Sequence, residues 1–287
     1  MTSKRIPIWL SGVGLAIALG GVTIGVSALP TWSQSLPDLP RLLAQRPPKV
    51  VYVRREVSGN PPGGRYRGGG SRSIQAICPA TTLPLTAIVP FQETYEKGRE
   101  SLPPMVNVWG YTAAERPTFW VYVPYGNPAI PAKFTLDDDE AGTQIHTQAV
   151  TLPAQPGIVG IRLPDSAPAL QPGKRYRWYF SLTCSTPSAG IAGMDTVGVD
   201  AVVIRETPKP DLKGQLTAGA SLPNAIAYAQ AGFWYDALTN LADARREKPQ
   251  DADLKAAWAD LLGGIATTDK ARTNFNLEKI IAQPLTK

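Results

Sequence analysis

The chain is poor in the residues that most often carry chemistry. Its 287 residues include one histidine, His146, and two cysteines, Cys78 and Cys184. A lone imidazole on a strand-like run is a weak basis for a triad, and its ordinary reading is a strand residue. One histidine and two distant thiols do not make a four-ligand metal set. No Gly-x-Ser-x-Gly, phosphate loop, dinucleotide fingerprint or His-Glu-x-x-His occurs, so no cofactor or metal is implied. An excess of one charge is missing too: residues 74–287 hold nineteen Lys or Arg against twenty-one Asp or Glu. Nucleic-acid binding, which wants a basic face, is therefore not expected. A pair of catalytic carboxylates stays open, because their ~5–10 Å separation is a three-dimensional fact. The run Asp137-Asp138-Asp139-Glu140 reads as a solvated hairpin tip, since successive side chains on a strand diverge.

The positive charge is concentrated before residue 74. Residues 29–73 carry eight Lys or Arg against two Asp or Glu, with Pro and Gly throughout. Such a segment reads as a disordered basic Pro/Gly/Arg linker, too poor in burial to offset its ordering entropy. Ahead of it, Lys4 and Arg5 precede an uncharged run from Ile6 to Leu29, and Val26-Ser27-Ala28 offers a small-residue cleavage site. Residues 1–28 read as a signal peptide or as a retained membrane anchor, with residues 6–28 as the tether. Either places the rest of the chain outside the cytoplasm, in a periplasm or cell envelope. In that compartment an even cysteine count reads as a Cys78–Cys184 disulfide; the alternative is two separate buried thiols.

Residues 74–206 alternate like an all-β unit. Candidate strands fall at 85–89, 105–111, 118–122, 132–136, 145–152, 158–163, 176–184 and 197–204, with Pro and Gly between them. The densest apolar run, Thr118 to Tyr125, places Phe119, Val121 and Val123 on one face and Trp120 and Tyr122 on the other. Both faces are apolar, so this strand is expected to be central and covered on each side. After the Pro172-Gly173 turn, Tyr176, Trp178, Phe180 and Leu182 share a face. That turn and tyrosine resemble the entry to the penultimate strand of immunoglobulin and fibronectin type III sandwiches.

Composition changes near Pro208 and Pro210. Residues 207–220 read as a linker, 221–264 as helices and 265–287 as a C-terminal tail. Trp234, Ala237, Leu238, Leu241 and Ala244 form one helical stripe; Leu254, Trp258, Leu261 and Leu262 form another. Tyr228, Gly232, Ala237, Leu241, Ala244 and Pro249 have spacings that resemble a single tetratricopeptide repeat. One repeat does not bury its own face. Neighbouring helix positions lie ~100° apart, so Trp234 is expected in the core and Tyr235 at the edge of a partner-binding groove. Phe119, Val121, Val123, Tyr176, Trp178, Phe180 and Trp258 are expected to be core. A glycan platform built from Trp109, Trp120, Tyr122, Tyr125, Trp178, Trp234 and Trp258 is the competing use of the aromatics.

Three motifs occur in order: Ala114-Glu115-Arg116-Pro117-Thr118-Phe119-Trp120-Val121-Tyr122-Val123-Pro124-Tyr125, Pro172-Gly173-Lys174-x-Tyr176-x-Trp178, and Gly232-Phe233-Trp234-Tyr235-Asp236-Ala237-Leu238. Over residues 72–265 the chain resembles the cyanobacterial family called domain of unknown function 928. Arg67 to Arg72 and Cys78 resemble that family's entrance. The resemblance implies an envelope location and carries over no catalytic residue. The expectation is β + α: an immunoglobulin-like antiparallel β-sandwich, then a small C-terminal helical module. The expected role is a noncatalytic extracytoplasmic interaction protein that binds another envelope protein. Envelope glycan or lipopolysaccharide binding and a carboxylate-dependent hydrolase are the alternatives. No feature of the sequence sets an oligomeric state.

Overall fold

Runs rich in β-branched and aromatic residues, cut by Pro and Gly, form nine strands in the computed structural model, which describes residues 49–68, 78–185 and 194–286. The strands are β1 (Thr86–Ala87), β2 (Phe91–Thr94), β3 (Met105–Thr112), β4 (Thr118–Val123), β5 (Ala132–Asp138), β6 (Thr143–Val150), β7 (Gly157–Arg162), β8 (Arg175–Ser185) and β9 (Met194–Arg205). Six helices follow: α1 (Pro210–Gln215), α2 (Leu222–Gln230), α3 (Trp234–Glu247), α4 (Ala252–Gly263), α5 (Asp269–Phe275) and α6 (Leu277–Ile281). The expected signal or anchor at 1–28, and residues 29–48 and 69–73 of the expected linker at 29–73, lie outside the described residues. No helix among the described residues is long and apolar enough to cross a membrane.

The strands make a three-stranded sheet, β1-β4-β7, and a six-stranded sheet, β2-β3-β9-β8-β5-β6. β4 is the centre of the smaller sheet, and both of its faces are covered. Phe119, Val121 and Val123 are fully buried, and Phe119 packs on Phe134 of β5 (4.8 Å between ring centroids) and Trp178 of β8 (5.4 Å). On the opposite face Trp120 is also fully buried, and its indole Nε1–H donates to Thr239 Oγ1 on α3 at 3.0 Å. Tyr176, Trp178, Phe180 and Trp258 are likewise in the core. The backbone N–H of Gln171 donates to the Tyr176 hydroxyl at 2.9 Å, which closes the turn at Gly173. Contrary to the expected antiparallel sandwich, the larger sheet is mixed: β3 runs parallel to β9, with Trp109 opposite Val202 and Tyr111 opposite Ile204.

Three expected boundaries are corrected. Residues 49–68 are an ordered strap, not a solvated linker. Val50 and Tyr66 are buried, and the strap bridges Gly63 to Asn107, Arg65 to Asp200 and Arg67 to Thr86. The span 207–220 holds α1, because Pro210 supplies a preset φ at the first helical position and lacks the N–H that would be orphaned there. The tail 265–287 holds α5 and α6 with Phe275 and Ile280 buried, and Leu285 bridges Ile158 of β7. Nor do the helices stand apart: residues 47–287 form one unit. Trp234 Nε1–H donates to Ile88 O at 2.9 Å, and the Ala113 N–H donates to Asp236 at 2.8 Å.

The disulfide is present. Cys78 and Cys184 are bonded across 106 residues, fixing the entry to β1 against the end of β8.

Candidate cleft at Arg55

The outer face of β3 and β9 carries a second apolar cluster of Trp109, Tyr111, Val202, Ile204, Leu212, Ala227 and Phe233. It joins the larger sheet to α1 and α2. α2 stops beside it because Gly232 takes a left-handed φ of 78°, which suits a residue without Cβ. The Gly232 N–H donates to Ala229 O and the Phe233 N–H to Tyr228 O, the paired bonds of a Schellman turn. The Tyr228 and Phe233 rings meet edge-on at 6.3 Å, supplying the hydrophobic contact that accompanies such turns. Thus the local ending of one helix aims Phe233 at the strap.

Gly232 also makes room for Arg55. A Cβ at Gly232 would lie 2.3 Å from Arg55 Cγ. The guanidinium sits 4.0 Å from the centroid of Tyr111 and 5.4 Å from that of Phe233, and it is ion-paired with Glu206. The strap backbone is tied down as well: Trp109 Nε1–H donates to Arg55 O at 3.1 Å and Tyr111 O–H to Glu56 O at 2.9 Å. A half-exposed ion pair contributes only ~0.2–1 kcal/mol, and a cation–π contact at an exposed site ~0.5–1 kcal/mol. Their effect here is positional. Each takes conformational freedom from a charged side chain at the mouth of a cleft.

That cleft has a volume of about 410 Å³. Leu212, Ala227 and Phe233 give it an apolar floor, while Arg55, Glu206, Lys209 and Asp211 stand among its lining. Two positive and two negative groups give no net pull on a polyanion. The arrangement suits an apolar side chain flanked by charges of both signs.

The expected site residues lie elsewhere. Tyr235 is not at a groove: it is 1% exposed, and Trp178 Nε1–H donates to its hydroxyl at 2.8 Å. Gly110 of β3 leaves space for its ring, and a Cβ there would be 3.0 Å from Tyr235 Cε2. Trp234 is fully buried and offers no partner surface. The proposed aromatic platform is not assembled either, since Trp109, Trp120, Tyr122, Trp178, Trp234 and Trp258 are all buried. Tyr125 is half-buried, its hydroxyl donating to Pro79 O. His146 lies on β6, paired with Gln148 Oε1 at 2.9 Å.

The acidic run is a turn. Asp138 accepts from the N–H groups of Glu140 and Ala141, and Asp139 pairs with Arg175 and Arg177. Among the described residues no group of three or more His, Cys, Asp or Glu could hold a metal ion. The residues that sequence reasoning missed are Arg55, Glu206 and α1. Pro210 followed by Asp211 was the available signal for α1, and it was absorbed into a linker.

Among the described residues Asp236, in the first turn of α3, is the one buried carboxylate. It is 8% exposed, and burial pushes its carboxyl up to about 6, against the opposing pull of the Ala113 N–H. A folded-state value above that of an unfolded Asp means the folded chain holds the proton through this window. The group's stabilising effect is complete below about pH 4 and is lost as pH rises through about 6. Wild type is expected to lose on the order of 3 kcal/mol from this group between pH 4 and 7, a slope that Asp236→Asn removes. Urea unfolding of both proteins across that range checks it.

A family profile, Domain of Unknown Function (DUF928), matches residues 67–275. No curated protein and no solved structure matches the chain significantly. On the strength of the match over most of its length, the chain belongs to the DUF928 family.

Proposed function

We propose that this protein is a noncatalytic interaction protein of a bacterial cell envelope, and that it binds another envelope protein through the Arg55 cleft. The observation that carries the reading is the cleft itself: an apolar floor on α1 and α2, with charges of both signs held around it. A pocket of a few hundred Å³ with an apolar floor and few polar groups has room for one inserted apolar group, here read as a side chain of the partner. The Cys78–Cys184 bond supports a location outside the cytoplasm, because disulfides persist in oxidising compartments. Lys4 and Arg5 before the apolar run support export, with residues 6–28 as the tether where they are retained. The finer reading of the two sheets as an immunoglobulin-like sandwich rests on the bond between Gln171 and Tyr176 after the Pro-Gly turn.

Glycan binding loses its aromatic basis with the burial of the tryptophans, and the two strap arginines nearest the cleft are engaged inside the fold. Arg54 donates to Phe91 O and Ile265 O, and Arg55 pairs with Glu206.

Ala231 lines the cleft and is half-buried in an ordinary helical conformation, so a larger side chain there fills the cavity from its wall. Ala231→Leu is expected to leave the melting temperature within a few degrees of wild type. It should lower recovery of the envelope protein that co-purifies with the native chain at least tenfold. Undiminished recovery with the cleft filled rejects the assignment.

A further inference from the structure

The two sheets end in β1, β7, β2 and β6, and other segments of the chain cover the first three. β1 meets the strap: the Ala87 N–H donates to Tyr66 O at 2.7 Å, and the Gly68 N–H donates to Leu85 O at 2.7 Å. β7 meets the C-terminal residues, with the Ile158 N–H donating to Pro284 O at 2.8 Å and the Thr286 N–H to Ile158 O at 3.0 Å. β2 is only four residues long, and its Phe91 N–H donates to Ile265 O at 2.9 Å. β6 is different. It is eight residues long and pairs with β5 on one side, and among the described residues no backbone group pairs with its other side.

The sequence of β6 does not guard that edge. Thr143-Gln144-Ile145-His146-Thr147-Gln148-Ala149-Val150 holds no Lys, Arg, Asp, Glu, Pro or Gly, whereas exposed edges are ordinarily blunted by charge, proline or shortness. Its one titratable side chain, His146, is bonded to Gln148 Oε1. A register shift beside Leu136 is its one irregularity, and His146 to Val150 stay in unbroken register with β5. A row of unpaired N–H and C=O groups on such a strand is a template for another strand.

Charges stand at the two ends of β6, and their signs are opposite. In the turn before it, Asp138 and Asp139 are paired with Lys174, Arg175 and Arg177, and Glu140 is an exposed acid with no ion pair among the described residues. Near its other end Lys133 lies opposite Ala149, and the Arg162 carbonyl accepts from Gln148 Nε2 at 3.5 Å. Both cations are exposed and unpaired among the described residues. A parallel copy of β6 would bring like ends together. An antiparallel copy turns Glu140 toward Lys133 and Arg162, and a two-fold axis repeats that match on both sides.

We propose that β6 pairs antiparallel with β6 of a second copy of this chain, about a two-fold axis near the middle of the strand. The two six-stranded sheets then become continuous. An isologous contact uses up both open edges and closes, so it gives a dimer rather than a fibre. The lining of the Arg55 cleft includes no residue of β5 or β6, so the two surfaces are distinct.

The test is the mass of the full-length protein by sedimentation equilibrium in density-matched detergent, where twice the monomer mass is expected at micromolar concentration. Thr147 and Ala149 are exposed, so Thr147→Lys with Ala149→Lys sets like charges along both strands of the pair without entering the core. This double variant is expected to be a monomer with an unchanged circular dichroism spectrum. Glu140→Lys is expected to weaken association about threefold, the scale of exposed ion pairs, and Lys133→Glu added to it to restore the wild-type value. Hydrogen exchange locates the contact: the β6 amides that face away from β5 should be protected in wild type and exposed in the double-lysine variant. A monomeric wild type overturns the proposal, and protected β6 amides in that monomer mean that the chain covers this edge itself. A dimer that survives the two lysines overturns it too, because its contact lies on another surface. So does a loss from Glu140→Lys that Lys133→Glu deepens, since unlike ends then do not meet.

Discussion

A chain that begins at Arg67, where the family match begins, is expected not to fold, whereas one that begins at Pro47 unfolds cooperatively. The strap 49–66 supplies contacts that no other segment replaces. Val50 and Tyr66 are buried, and burying an apolar side chain of this size contributes ~1.5–3 kcal/mol. Tyr66 stacks on Phe91 with centroids 3.9 Å apart, and its hydroxyl donates to Glu93 at 2.7 Å. Tyr52 meets Trp234 edge-on at 4.8 Å. Removing Arg54 strips a donor from Phe91 O, and a buried group left unmet costs ~1–3 kcal/mol; Ile265 O loses the same donor but keeps its bond from the Phe91 N–H. The total is of the same order as the ~5–15 kcal/mol that stabilises a whole domain. Tryptophan fluorescence and near-ultraviolet circular dichroism in urea distinguish the two chains. A sharp transition from the shorter one contradicts this role for the strap.

Loss of the disulfide is the second large effect. Joining residues 106 apart removes entropy from the unfolded chain, which in the loop model amounts to ~4–5 kcal/mol. Replacing both Cys78 and Cys184 by Ala avoids leaving one thiol free to form mixed disulfides. The double variant is expected to lose about that amount in urea unfolding under oxidising conditions. It should then match the loss that reduction causes in wild type. A change below about 1 kcal/mol means that the unfolded chain is already compact around these residues.

The strap also shows where sequence reasoning fails. Asn60-Pro61-Pro62-Gly63-Gly64 has the composition of a flexible linker. Yet a Cβ at Gly64 would lie 2.9 Å from both Asp200 O and Val108 Cβ. Glycine is used there for close approach, and composition alone does not separate that use from flexibility. By contrast, the strand around Phe119 was legible, because two apolar faces in period 2 describe a strand covered twice. The short strand β2 was missed: Phe91–Thr94 carries one apolar residue, and its pairing to β3 is set by the sheet rather than by its own pattern.

Tyr235 marks the same limit on a helix. The ~100° step between neighbours separates one buried face from one exposed face only when a helix lies on a surface. α3 begins between elements: Trp234 reaches Ile88 and Tyr235 reaches Trp178, so both are enclosed. The cleft was invisible for a related reason. Arg55, Glu206 and Phe233 are brought together by the strap, the end of β9 and the turn after α2, and no sequence spacing relates them.

Site-specific photocrosslinking in intact cells tests the central claim most directly. A photoreactive side chain at Gln230, exposed in the cleft lining, is compared with one at Tyr179, which is 39% exposed on β8. The account predicts a discrete adduct to one envelope protein from Gln230, absent when Ala231→Leu fills the cleft, and none from Tyr179. An adduct from Tyr179 without one from Gln230, or a Gln230 adduct that persists in Ala231→Leu, contradicts it.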